Sequence, residues 1–303
     1  MRSTRVLLTG IAVAVLAAAC SSSTPSSTSS ASSGPNITIG STNFEEQLIV
    51  ANMYADVLKH AGAKVTLRAN LGTREAVEPA LAAGQLDLYP DYAGTLLIFL
   101  NPAGTAAATQ TSTALPALES LLGPKGATVL EPSPAIDTDV FAVTQATASQ
   151  YHLTTLSSVK PVASKLILGG PPECPTRAFC LLGLQNTYGL HFKSFTSLDE
   201  AGPITVSALK NGQVQMAELF SSDGSIIQNN FVQLTDDKHL QPADFLIPVI
   251  RKSVNTPAVA AALNGLSAKL TTDELSNLNI KVNVNHEDPG TVAQQWLQQK
   301  HLI

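Results

Sequence analysis

Residues 36–89 decide the fold: Asn36-Ile37-Thr38-Ile39-Gly40 opens the stretch, Asn43-Phe44-Glu45-Glu46 follows, and Leu86-Asp87-Leu88-Tyr89 closes it. Ile37 and Ile39 alternate with polar neighbours, the period of a strand with one buried face. Asn43 has Glu46 at the third position of the coming helix, a capping-box arrangement, and the helix is predicted to run to about His60 before Gly62 ends it. Residues 64–70 alternate again through Val65, Leu67 and Ala69. Thr73 is placed to cap a second helix through Ala83, Gly84 stops it, and residues 86–89 read as the next strand. Two crossovers in about 55 residues predict an α/β fold with a mainly parallel sheet covered by helices, because parallel neighbours need a long connection.

Further along, residues 115–122 are predicted helical, and 128–130 and 140–143 read as strands around the Pro132 and Pro134 turn. Helices are expected near 153–159 and 201–211, with a Gly/Pro/Cys loop at 169–183 and a strand within 213–220. A short helix follows at 225–230. The tail carries helical patterns at 258–267, 272–281 and 289–299, with Leu275, Leu278, Val292, Trp296 and Leu297 on their core faces. Tyr54 and Tyr89 are expected to pack rather than to bind, and Asp223 to cap the helix after Gly224. Arg74 is expected to form a surface ion pair with Glu78, one helical turn away.

At the other end, Arg2 and Arg5 precede an apolar run from Val6 to Ala19, long enough for an export signal and too short to span a bilayer. Small residues occupy the three positions before Cys20, and a Ser/Thr/Pro/Gly tract follows at 21–35. This arrangement resembles a bacterial lipoprotein signal, which implies cleavage after residue 19, acylation of Cys20 and a flexible spacer over 20–35. The folded part is then expected to be soluble and tethered at the extracytoplasmic face of the cell membrane. Cys174 and Cys180 are left as an even pair in an oxidising space. A disulfide closing their short loop is the preferred reading over two buried thiols, and a metal site is poorer because no further ligand lies nearby in sequence.

Composition narrows the function. The net charge is -5 and no Lys/Arg cluster exists, so nucleic acid is not an expected partner. The six histidines are scattered, with no His-Glu-x-x-His, no Gly-x-Ser-x-Gly elbow and no glycine-rich phosphate loop, so an enzyme is not expected. No cofactor or metal is called for. An adhesive or structural lipoprotein needs an exposed partner surface, whereas the unusual residues here fall at strand ends: 41–43, 89–95 and 220–224. Open parallel sheets place ligands there, and helix starts in those loops offer free N–H groups for a ligand carboxylate.

The same positions carry a resemblance. Gly40-Ser41-Thr42-Asn43-Phe44-Glu45-Glu46-Gln47, Asn70-Leu71-Gly72, Leu88-Tyr89-Pro90-Asp91-Tyr92-Ala93-Gly94-Thr95, Ser222-Asp223-Gly224 and Leu234-Thr235-Asp236-Asp237-Lys238 are similar to successive signatures of the solute-binding subunits of glycine betaine/choline-type ABC importers. The resemblance implies a type II periplasmic-binding-protein-like fold. Two α/β lobes, 36–136 plus 246–303 and 137–245, would close on a cleft about hinges near 136–139 and 243–247. It further implies a monomer that captures a quaternary ammonium osmoprotectant among aromatic rings and hands it to a membrane permease. Carried over by position, Tyr92 and Thr95 match the Tyr-x-Gly-Thr signature, Asn43 and Gln47 the first polar contacts, and Arg177 the arginine of the second lobe. Phe220 stands where a cage tyrosine is expected, while Asp139 and Asp244 stand where two more are common. By this count only two of four rings remain, which leaves a different polar or aromatic solute as the alternative cargo.

Overall fold

The computed structural model describes residues 34–102, 108 and 110–303. The expected leader, the lipidation site Cys20 and most of the spacer lie outside the described residues. Strand β1 (Asn36–Gly40) leads into helix α1 (Glu45–His60), and β2 (Lys64–Arg68) into α2 (Arg74–Ala82). β3 (Leu88–Tyr92) is followed at once by α3 (Ala93–Leu100). The remaining strands are β4 (Ala127–Val129), β5 (Asp139–Val143), β6 (Ile167–Gly170), β7 (Ser194–Ser197), β8 (Met216–Phe220), β9 (Val232–Gln233) and β10 (Leu246–Arg251).

They form two sheets, ordered β2-β1-β3-β10-β4 and β7-β6-β8-β5-β9. In the first, β1 pairs in parallel with β2 and β3, and β10 runs antiparallel to β3 and β4. In the second, β6 pairs in parallel with β7 and β8, and β5 runs antiparallel to β8 and β9. The antiparallel strand of each sheet is the one that the chain lays down on arriving from the other. The two crossing segments touch: Ile136 bridges Phe245, and the Asp137 N–H donates to the Asp244 carbonyl at 3.1 Å.

The expected strand at 86–89 is displaced, since β3 continues through Pro90 to Tyr92. Pro90 lies opposite Pro248 of β10, so neither strand requires an N–H from the other at that step. Helix α1 buries Ile49, Met53, Tyr54 and Val57 against Leu263, Leu275, Val292 and Trp296 of the C-terminal helices. Fully burying each such side chain contributes on the order of 1.5–3 kcal/mol. Tyr54 and Trp296 are thus core residues, and Tyr89 is wholly buried in a second apolar cluster of the same half. Cys174 and Cys180 are joined by a disulfide, in a loop that follows β6. No helix among the described residues is long and apolar enough to cross a membrane.

Candidate functional site

Sheet topology alone brings the site together. Tyr92 and Phe220 are the last residues of β3 and β8, while Asp139 opens the antiparallel β5 and Asp244 lies two residues before the antiparallel β10. The carboxyl ends of parallel strands and the amino ends of antiparallel ones share an edge, so all four side chains face the space between the sheets. Asp139 is the direct cross-strand partner of Phe220, and Leu246 of Tyr92. The space is a narrow cavity lined from both sheets by polar, charged and aromatic side chains.

Seven of the eight positions expected to bind line it: Gln47, Tyr92, Thr95, Asp139, Arg177, Phe220 and Asp244. Asn43 does not. It is exposed at the rim, and with its amide nitrogen turned inward it donates to Glu200 Oε2 at 3.1 Å and to the Gly72 carbonyl at 3.2 Å. The expected capping box is also absent. Phe44 takes the N-cap position of α1 with no side-chain cap, and Glu46 turns into the interior instead.

The sequence count of two rings is corrected. Among the described residues four rings line the cavity, because Phe44 and Phe179 join Tyr92 and Phe220. Phe44, from the first half, lies 4.6 Å from Phe220 of the second and 6.4 Å from Tyr92, measured between ring centroids. Phe179 arrives on the disulfide-closed loop, together with Arg177, and packs into the apolar cluster around Tyr89. The guanidinium carbon of Arg177 sits 5.6 Å from the Phe179 ring centre.

Arg74 was expected on the surface and is buried. Its Nη2 and Nε donate to Asp91 Oδ1 at 2.6 and 3.0 Å, and Nη2 also reaches Thr95 Oγ1 at 2.7 Å. Glu78 pairs with Lys125 instead. Arg177 is held by Glu75 Oε2 at 3.2 Å, Glu173 Oε1 at 3.1 Å and Glu200 Oε1 at 3.5 Å. Asp244 accepts the Thr95 N–H, in the first turn of α3, at 2.8 Å.

A buried node behind the rings ties the halves together. Glu46 accepts from the Tyr92 hydroxyl, from Ser222 Oγ at 2.8 Å and from Asn279 Nδ2 at 2.5 Å. Asp137, on the first crossing segment, accepts from the Ser222 N–H at 2.9 Å and Ser221 Oγ at 3.1 Å. Next to this node Gly224 stands so close to Ile280 that a Cβ would meet its Cγ1 at 2.4 Å. Asp223 accepts the Ser225 N–H and so caps the helix that begins at Gly224, as the sequence implied.

Burial disfavours charge throughout this region. It pushes the Asp244 carboxyl up to about 8, with Asp139 adding repulsion and Thr95 and Arg74 opposing it. It pushes Glu200 up to about 7, against the pull of Arg177. Asp139, Asp137, Glu46 and Glu218 are raised as well, first by burial. Asp139 and Glu218 lie close enough to interact directly, and Glu218 Oε2 is 2.8 Å from the disulfide sulfur of Cys180.

Two α/β halves of matching strand order, joined by two crossing segments and enclosing a ring-lined cavity, define a solute-binding protein of the type II periplasmic-binding-protein fold. The chain belongs to the family described as the substrate binding domain of ABC-type glycine betaine transport systems, whose model matches residues 35–299. It is 27% identical over 275 residues to the glycine betaine-binding protein YehZ of Escherichia coli K12, covering 87% of this chain and 90% of that one. It is 28% identical over 278 residues to the carnitine transport binding protein OpuCC of Listeria monocytogenes, covering 90% and 89%. A crystal structure described as a glycine betaine/carnitine/choline ABC transporter shares the fold at a TM-score of 0.68 and 24% identity, over 89% of this chain and 99% of that one.

Proposed function

We propose that this protein captures a quaternary ammonium osmoprotectant outside the cytoplasm and delivers it to the permease of an ABC importer. It does so as a monomer held to the membrane by lipid on Cys20, with 20–35 as spacer. Residues 36–136 plus 246–303 act as one lobe and 137–245 as the other, and they move about the paired crossing segments. Cargo is bound and released unaltered.

The observation that carries the reading is the set of four rings around an acid-lined cavity. A trimethylammonium group cannot donate hydrogen bonds, so it is held by ring faces and dispersion, each ring contributing about 0.5–2 kcal/mol once water is excluded. Tyr92, Phe220, Phe44 and Phe179 are the proposed cage, with Gln47, Thr95, Asp139 and Asp244 meeting the rest of the solute. The names of the relatives, glycine betaine-binding and carnitine-binding, support the same class of cargo.

Calorimetric titration of the purified protein with glycine betaine, carnitine and choline tests this. Binding of at least one is expected, with loss in a Tyr92→Ala/Phe220→Ala double variant that keeps its unfolding transition. No heat with any of the three overturns the reading.

A further inference from the structure

Phe44 and Glu46 stand two residues apart at the start of α1, and Ser222 follows two residues after Phe220, the last residue of β8. The two pairs meet across the gap between the halves. The Phe44 and Phe220 rings lie 4.6 Å apart, and behind them Ser222 Oγ donates to Glu46 Oε2 at 2.8 Å. Because each pair is a short stretch of one chain segment, the ring contact and the hydrogen bond form or part together.

Glu46 is an unusual residue to bury here. It is only 2% exposed, and the nearby charges that act on it, Asp223 and Asp137, repel it. Three uncharged donors meet it instead: the Tyr92 hydroxyl on Oε1, and Ser222 Oγ and Asn279 Nδ2 on Oε2. Asn279 Nδ2 also donates to Ser222 Oγ at 2.9 Å, which leaves the Ser222 hydroxyl hydrogen for Glu46. An apolar side chain would fill this place at less cost than a carboxyl group, so packing alone does not account for it.

The donors come from three places. Tyr92 belongs to the cage and Asn279 to the C-terminal helices of the first half. Ser222 belongs to the second half, and its N–H is held at 2.9 Å by Asp137 of the first crossing segment. Without Ser222, Glu46 keeps donors from its own half alone. Tyr92 turns its ring to the cavity and its hydroxyl to Glu46, so where that carboxyl group stands sets the tilt of the ring.

We propose that Glu46 is a positioning residue of the cage: it orients Tyr92 through the hydroxyl, and Ser222 of the second half completes its hold, so that the rings close on an onium head as the halves meet. The proposal rests on the solute-binding reading above and deepens it. Ser222 does not line the cavity, and its effect on the solute passes through Glu46 and Tyr92.

Stopped-flow association and release rates test this on the purified protein, with whichever of glycine betaine, carnitine and choline it binds. Ser222→Ala is expected to release solute about 10-fold faster, the loss of one hydrogen bond to a carboxylate, with association nearly unchanged. Tyr92→Phe, which keeps the ring and loses the hydroxyl, is expected to act in the same direction. The double variant is expected to be little worse than either single one, because both act through the same carboxyl group. Release from Ser222→Ala at the unaltered rate, or fully additive effects, overturns the inference and leaves the solute reading intact; a merely structural role would lower the unfolding midpoint without this pattern. Binding of none of the three overturns the solute reading, and small-angle scattering of the solute-free protein then decides the inference. Ser222→Ala and Glu46→Gln are expected to enlarge the radius of gyration, and radii equal to that of the unaltered protein overturn it. Ser222→Ala decides this arm if Glu46→Gln does not fold.

Discussion

The two halves of this protein share a strand order and yet hold their arginines by opposite means. Arg74, in the first half, is locked by Asp91 of the same half on regular structure, α2 against β3. Arg177, in the second, rides on an irregular loop closed by a disulfide, and one of its three carboxylate partners, Glu75, comes from the other half. One wall of the cavity is therefore complete on its own. The other is completed partly by contact across the gap, together with Phe44 against Phe220 and Ser222 against Glu46. Contacts that cross the gap exist only where the halves meet, so a hinge motion that separates them would cost the second wall these contacts and leave the first wall whole.

The sharpest way to break the comparison is at Arg74. Arg74→Ala strands a buried carboxylate and is expected to cost about 3–5 kcal/mol in urea unfolding. Arg177→Ala should cost clearly less stability and show itself mainly in solute affinity. Equal losses would mean that the two walls are built alike. A Cys174→Ala/Cys180→Ala pair is expected to lower stability by about 2 kcal/mol, since the closed loop is short. It should also weaken solute binding, because Arg177 and Phe179 lie within that loop; unchanged affinity would show that the loop keeps its shape unaided.

Smaller effects follow at the rings. Phe44→Leu and Phe220→Leu are each expected to reduce onium affinity about 10-fold, and the double variant to lose less than the product, since the two rings touch. Titration calorimetry on the three variants gives the coupling directly. The mildest expected effect is that of pH. Glu200, near 7, faces Arg177, Glu173, Arg74 and Asp139, and Asp244, near 8, faces Arg74, Asp139 and Asp91. Ionisation of either favours a cation, so onium affinity should rise several-fold from pH 6 to pH 8 and level off above. The same carboxyl groups bind protons more tightly folded than unfolded. The stability they give the empty protein is therefore full below pH 4 and lost as pH rises through 7 and 8. Thermal unfolding of the empty protein across that range checks the sign.

Much of the architecture was legible because it is local. The alternation at Ile37 and Ile39, the helix stop at Gly62 and the repeat of the pattern toward Tyr89 give the three parallel neighbours, with β1 and β2 in place and β3 called two to three residues early. β6 and β10 were not called, since short strands buried within a sheet show no alternation, and the edge strands β7 and β9 were not because they are short and largely exposed. At the site, strand-end loops led to Tyr92 and Phe220 and the family resemblance to Asp139 and Asp244, whereas Glu46, Arg74, Phe44 and Phe179 were missed as site residues. Two of these had a usable signal. Glu46 falls on the helical stripe of Ile49, Val50 and Met53, and Arg74 on that of Val77 and Leu81, so periodicity already pointed both charges inward. Phe44 and Phe179 had none, because their places depend on contacts with residues far away in the chain.

Gly224 gives the meeting of the halves a steric limit. With no room for even a methyl group between it and Ile280, the jaws bite down to backbone contact at that point. Any side chain introduced there would act as a wedge, holding the mouth ajar while leaving the cage residues themselves untouched.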